Sequence, residues 1–431
     1  MSELEVEVTA LAAGGDGVAR DANGRVTFVP RSAPGDLVRV RLTKQTKSFA
    51  RGELVEVVRP STLRDAPPCE HFVAGCGGCQ WQHVDRAAQL AAKRAIVTNA
   101  LRNLPGLVVE DVLDPAPPYG WRRRARFHVH GGKVGLYHYG SRNLIAIAHC
   151  PQLEPALDAA LKAIAPLTPP DGELALVLGH GGEIVVGVEH AWRGAAKVIG
   201  RAHIVGVVAG NDRHGETVIE IEPGLSGGPW DFAQASAAGN AALVEVTRRV
   251  LLGAGDPAGG DAASGDAASG GAADVGSGGA ADVAPSVASR AAVATRGRVL
   301  ELHAGAGNFT RGFVADGWTV TASDVIAPAK PIDKARFEIG AAEQVLARIA
   351  GPFDAIVLDP PRTGALEAMA GIVKHAPRVV VYVSCDPATL ARDAAKLVEA
   401  GYRAERAWPV DLMPQTSHVE VVLRLVRDQS T

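Results

Sequence analysis

The chain has 431 residues, of which 47% are hydrophobic and 21% charged, and its formal net charge is −3. That length leaves room for two or three domains, and the apolar content is ample for folded cores, so a chain disordered throughout is excluded. The amino terminus, MSELEVEV, lacks the basic and apolar regions of a signal peptide, and no apolar run approaches a membrane span.

The expected setting is therefore the cytoplasm, with no membrane partner and with thiols kept reduced. Residues 1–60 read as short strands separated by turns: EVEVTAL, RVTFVP, DLVRVRLTK and RGELVEVV, with GGDG and APGD between them. This pattern predicts a small β-barrel. From Arg20 to Arg51 eight Lys/Arg face only Asp21 and Asp36, and a second basic run, Trp121–Arg126, lies further on. Two such clusters in a near-neutral chain point to a polyanion such as RNA.

Residues 61–85 are turn-rich and carry Cys69, Cys76 and Cys79, in CEHFVAGCGGCQWQ, while Cys150 follows in AHCPQ. Four thiols with one tight C-x-x-C pair suit a metal or iron–sulfur site. Between Asp85 and Leu104, Leu90, Val97, Leu101 and Leu104 recur at helical spacing, predicting an amphipathic helix beside that site. Residues 121–224 alternate short strand-like runs, which suggests a mostly antiparallel region. Residues 253–295 collapse to Gly, Ala, Ser, Asp and Val, with GDAAS and GGAADV each repeated. No core can form there, so the segment is expected to be a flexible linker or insertion.

After Arg298 the pattern becomes α/β. Buried-strand runs at Arg298–Leu302, Trp318–Ala322, Phe353–Leu358 and Arg378–Val383 predict a doubly wound parallel sheet. The first strand opens into Glu301-Leu-His-Ala-Gly305-Ala-Gly307-Asn308-Phe309, and the next ends in Asp324. A glycine turn followed by an acidic residue about twenty positions on fits a ligand with a ribose. The missing third glycine favours S-adenosylmethionine over a dinucleotide. Cys385, alone at the end of VVVYVSCDP, suits a nucleophile.

In their order along the chain, CGGCQWQH, Trp121–Phe127, Phe232-Ala-Gln234, LDPPR, SCDP and Asp411-x-x-Pro414-x-Thr416-x-His418-x-Glu420 resemble the RNA uracil-5-methyltransferase family. The likeness is to the branch acting on 23S ribosomal RNA that carries a TRAM domain and a 4Fe-4S cluster. It implies a TRAM-like OB barrel over 1–60 and a central domain over 61–230 holding the cluster through Cys69, Cys76, Cys79 and Cys150. A Rossmann-like class I methyltransferase domain over 231–252 and 296–431 would follow. It further implies that Cys385 is the nucleophile toward C6 of uracil and Glu420 the base that clears the C5 proton, with His418 in support. Gln234, His303, Gly305, Asn308, Asp324 and Asp359 would bind S-adenosylmethionine, and Arg122, Arg123, Arg124 and Arg126 could grip phosphates. The expected partner is RNA, 23S rRNA or else tRNA, met by a monomer.

Alternatives share parts of this pattern. Cytosine-5 methylation also uses a cysteine at C6, but Asp359 does not build the Asn-Pro-Pro-Tyr type of amine site. An RNA-binding or assembly factor with a degenerate cofactor pocket is suggested by His303 and Ala341, which stand where the family has other residues. Four thiols would also hold zinc.

Overall fold

The computed structural model describes residues 3–253, 296–328 and 330–427, so most of the predicted linker lies outside the described residues. Strands Glu3–Leu11, Gly17–Arg20, Val26–Val29, Leu37–Gln45 and Phe49–Arg59 close into a barrel, in the order first, second, third, fifth, fourth. Alternation fills it: Val6, Val8, Val38 and Val40 point inward and are buried. The outward basic residues are laced with acids. Arg39 meets Glu5 and Glu56, Arg41 meets Glu3 and Glu53, and Arg51 meets Asp16. Part of the barrel's basic run is thus paired with acids of its own surface.

A seven-stranded sheet follows, ordered Asp212–Gly215, Ile204–Ala209, Ile184–Val188, Gly172–Leu178, Arg124–His130, Lys133–Tyr137 and Leu144–Ala146. It is antiparallel except where Ile184–Val188 runs parallel to Ile204–Ala209. In the second basic run, Arg123 is a structural residue rather than a phosphate grip. It is 4% exposed, pairs with Glu222 at 2.9 Å and donates to the carbonyls of Leu178 and Ile221. An arginine so committed has no donor to spare for a phosphate.

The third sheet has eight strands, in the order Ala335–Ile339, Thr319–Asp324, Arg298–Leu302, Ala355–Leu358, Val379–Ser384, Glu420–Arg427, Tyr402–Val410 and Val108–Val109. The first five are mutually parallel, whereas Glu420–Arg427 runs antiparallel to both its neighbours. The four strands expected to form a parallel sheet do so, and a closing antiparallel hairpin extends it. Alternate residues feed two cores: Leu300, Ile356, Val380 and Leu423 on one face, Val299, Val357, Val381 and Val422 on the other. Helices Met369–His375 and Pro387–Glu399 cover the first face, and Ala237–Leu252 the second.

The helix expected over 85–104 spans Arg86–Ala100 and is capped by Asp85, which accepts from the Ala88 N–H. It buries Gln89, Lys93 and Val97, and its carboxyl end packs into one core of the third sheet through Val97 and Leu101. It bridges the cysteine region and the third sheet.

Candidate active site

The parallel strands of the third sheet present their carboxyl ends at one edge, the usual place for ligands in this architecture. Leu302, Leu358 and Ser384 end there. Because Glu420–Arg427 runs the other way, its first residue reaches the same edge. Ser384 pairs with Val421, so Cys385 and Glu420 are the next residues on two adjacent strands. Asp359 follows Leu358 one strand away.

Electrostatics tie these groups together. The Cys385 thiol is pushed up to about 11, first by burial and then by the negative charges of Glu420 and Asp359. Arg362 opposes that shift by charge and by a hydrogen bond to the sulfur. Burial drives Glu420 up to about 8, with Asp359 adding to it and Arg362 subtracting. Asp359 itself rises to about 7 through burial. Arg362 also reaches His418, with Nη2 lying 3.5 Å from Nδ1. Burial and nearby cations, Arg362 first, hold the His418 ring down to about 4, so it is neutral at pH 7. Since a guanidinium only donates, the neutral ring carries its proton on Nε2 if Nδ1 accepts. Arg362 is the functional residue that sequence reading passed over. The signal was available: it is the arginine of LDPPR, held beside the strand end by two prolines.

The glycine turn lies beside this group. Gly305 donates its N–H to Asp324 Oδ2 at 2.8 Å, and Ala304 donates to the Ser323 carbonyl, which pins the turn against the neighbouring strand. Gly307 has φ +83°, and a Cβ there would meet Ile332 Cδ1 at 2.0 Å. The left-handed conformation favours glycine, while the Ile332 side-chain tip could shift to make room. His303 takes a left-handed φ of 59° and buries an Nε2 that has no hydrogen-bond partner. Asn308 exchanges two amide hydrogen bonds with Asn240, at 2.8 and 3.0 Å, so it braces the pocket wall against the helix Ala237–Leu252. Gln234 is half-buried in the segment leading to that helix, whose Ser236 caps it by accepting from Gly239. Glu301 is buried, accepts from Thr310 at 2.6 Å, and leaves its other oxygen without a partner.

Cys69, Cys76, Cys79 and Cys150 are free thiols that line one cavity with Phe72, Trp121 and Thr416. Burial raises Cys76 and Cys150 and pushes Cys79 up to about 12. Two guanidiniums act on them: Arg31 on Cys76 and Cys79, Arg122 on Cys79 and Cys150. Among the described residues no group of three or more His, Cys, Asp or Glu is placed to hold a metal ion. No described helix is long and apolar enough to cross a membrane.

Comparison with known proteins agrees with this geometry. The TRAM domain family matches residues 1–55, and the family described as tRNA (Uracil-5-)-methyltransferase matches residues 346–428. The 23S rRNA (uracil(1939)-C(5))-methyltransferase RlmD of Chromohalobacter salexigens is 33% identical, covering 98% of this chain and 89% of its own length. The protein of the same name from Halomonas elongata is 32% identical, over 99% and 90%. Among solved structures, a Pyrococcus abyssi tRNA (uracil-54, C5)-methyltransferase in complex with S-adenosyl-L-homocysteine superposes with a TM-score of 0.71. It is 20% identical and covers 98% of this chain and all of its own, a likeness of fold.

Proposed function

Since the chain belongs to the S-adenosylmethionine-dependent RNA uracil-5-methyltransferases, we propose that it methylates a uridine of 23S rRNA through a covalent bond between Cys385 and C6 of the base. The adjacency of Cys385 and Glu420, fixed by the pairing of Ser384 with Val421, carries this reading. C5 of uracil is a poor nucleophile until something adds at C6. The Cys385 thiol releases its proton to solvent, the thiolate bonds to C6, and the electron pair of the C5–C6 double bond moves to form an enolate. C5 then takes the methyl group, and S-adenosylhomocysteine departs. The Glu420 carboxylate removes the C5 proton, the double bond reforms, and the thiolate is expelled. The target base must leave its stack for C6 to reach the sulfur.

Arg362 reaches in from the exposed rim of the site and would supply positive charge to the sulfur and the developing enolate. His303, Gly305, Asp324 and Gln234 would bind the methyl donor, with Asn308 shaping its pocket and Asp359 at the boundary with the reacting base. The TRAM barrel, with Arg122, Arg124 and Arg126, would meet RNA phosphates. We assign a 4Fe-4S cluster to Cys69, Cys76, Cys79 and Cys150. Four cysteine donors lining one cavity fit such a cluster. Bound there, the cluster would cross-link the segments that carry its ligands. Methyl transfer from a sulfonium consumes no electrons, so no redox step is assigned.

Incubating the purified protein with methyl-labelled S-adenosylmethionine and separate 23S rRNA and tRNA transcripts tests the assignment. Label recovered as 5-methyluridine in 23S rRNA supports it; label confined to tRNA would move the target, and label on cytosine would overturn the reaction.

A further inference from the structure

The nine-residue-scale connection from Asp411 to Val419, which joins the last hairpin and delivers Glu420, is held mainly by residues that leave the cysteine cavity. Gln415, at its centre, is 4% exposed and adopts a left-handed φ of 66°, a conformation that a non-glycine residue keeps only when its surroundings enforce it. Its carbonyl accepts from the N–H groups of both Gln80 and Trp81, each at 3.0 Å. Its N–H donates to Gln89 Oε1 at 3.2 Å, and its side-chain Oε1 accepts from Gln89 Nε2 at 2.9 Å. Ser417 donates its N–H to Gln80 Oε1 at 3.4 Å, while the adjacent Thr416 lines the cysteine cavity itself.

The start of the connection is tied down from the same direction. Asp411 is fully buried and receives Lys93 Nζ at 2.5 Å and Arg86 Nη1 at 2.6 Å. Gln80 and Trp81 directly follow Cys79, and Arg86, Gln89 and Lys93 lie on the helix just beyond. The segment that carries the C-x-x-C pair and the segment that carries the base are therefore one hydrogen-bonded unit.

We propose that Gln415 is a positioning residue through which the cysteine segment sets the place of Glu420, so that occupancy of the cysteine site is felt at the proton-abstraction step. This rests on the assignments of Cys385 and Glu420 above. Fixing Cys76 and Cys79 fixes the two N–H groups that hold Gln415. Releasing them lets Gln415 relax out of its left-handed conformation, and Glu420 moves with its connection. Cys385, which follows the neighbouring strand Val379–Ser384, keeps its place. The effect falls on the second half of the reaction and spares the first.

The two halves are separable. RNA carrying 5-fluorouridine has no C5 proton to remove, so it reports adduct formation and methylation alone; uridine RNA reports the full cycle. With full-length protein and 23S rRNA transcripts of both kinds, Gln89→Met and Gln415→Ala are expected to form the 5-fluorouridine adduct within about threefold of the native rate. On uridine RNA they are expected to turn over at least tenfold more slowly and to accumulate linked protein. Hydrogen exchange of the 411–420 peptide, read by mass spectrometry before and after the metal site is stripped with ferricyanide and chelator, is a second and mutation-free test. Faster exchange there, with unchanged exchange over 379–385, agrees with the proposal. Equal loss of both activities, or unchanged exchange over 411–420 after stripping, overturns it. Absence of any adduct in the native protein would instead remove the Cys385 assignment.

Discussion

Cys385 and Glu420 are neighbours because two strands run in opposite directions: Ser384 ends one, Glu420 begins the next, and Ser384 pairs with Val421. Glu420 begins its strand and Cys385 directly follows the end of the neighbouring one, so the strand pairing brings the two residues to one edge. The arrangement also puts a carboxylate beside a thiol, and after burial the Glu420 charge is what most disfavours ionisation of Cys385.

Replacing Cys385 with alanine is expected to lower turnover by on the order of 10³ or more, since no other thiol among the described residues lies at this edge, while RNA binding persists. Methyl transfer in single-turnover reactions, alongside filter binding of RNA, checks both halves.

Glu420→Gln keeps the shape of the side chain and removes the base. Turnover is expected to fall by roughly 10² to 10⁴, and protein linked to ordinary uridine RNA to accumulate, because the methylated adduct cannot lose its C5 proton. Denaturing gel electrophoresis with labelled RNA would show the linked species.

Activity and stability should respond to pH in opposite senses. Glu420 acts as a base only when ionised, and with its carboxyl at about 8 turnover rises with pH up to that region. In the unfolded chain the same carboxyl ionises near 4.5, so between about 4.5 and 8 the folded state holds the extra proton. Stability is then lost as pH rises through this window. Glu420→Gln is expected to melt at a higher temperature than the native protein at pH 8 and at nearly the same temperature at pH 5. Thermal unfolding followed by circular dichroism at both values tests the sign.

Asp411→Ala leaves Lys93 fully buried without its carboxylate, and a broken buried pair typically costs about 3–5 kcal/mol. Lys93→Met should cost less, because Asp411 retains Arg86 and the Met413 N–H. Urea unfolding midpoints are expected to rank native, Lys93→Met, Asp411→Ala from highest to lowest.

The barrel, the glycine turn with Asp324 and the placement of Cys385 were legible in the sequence because each is written locally. Strand alternation, turn glycines and a cysteine at a strand end need no distant partner to be read. What was not legible depends on partners far along the chain. Gln89 and Lys93 look like the wet face of an amphipathic helix, yet both are buried, because Gln415 and Asp411 more than 300 positions away satisfy them. Arg123 sits in a basic run but is consumed by Glu222. Val108–Val109 is too short for periodicity to show, and it becomes a strand only by pairing with Arg406 and Ala407. Arg362 was visible within LDPPR, but its role appears only once Cys385, Glu420 and His418 surround it.

The central claim is a bond between one sulfur and one pyrimidine. The most direct measurement incubates the native protein with S-adenosylmethionine and 5-fluorouridine-substituted 23S rRNA, digests the product, and sequences the linked peptide by mass spectrometry. A methylated fluorouridine attached at Cys385 is the predicted result. An active preparation that yields no linkage, or one at another residue, would contradict it.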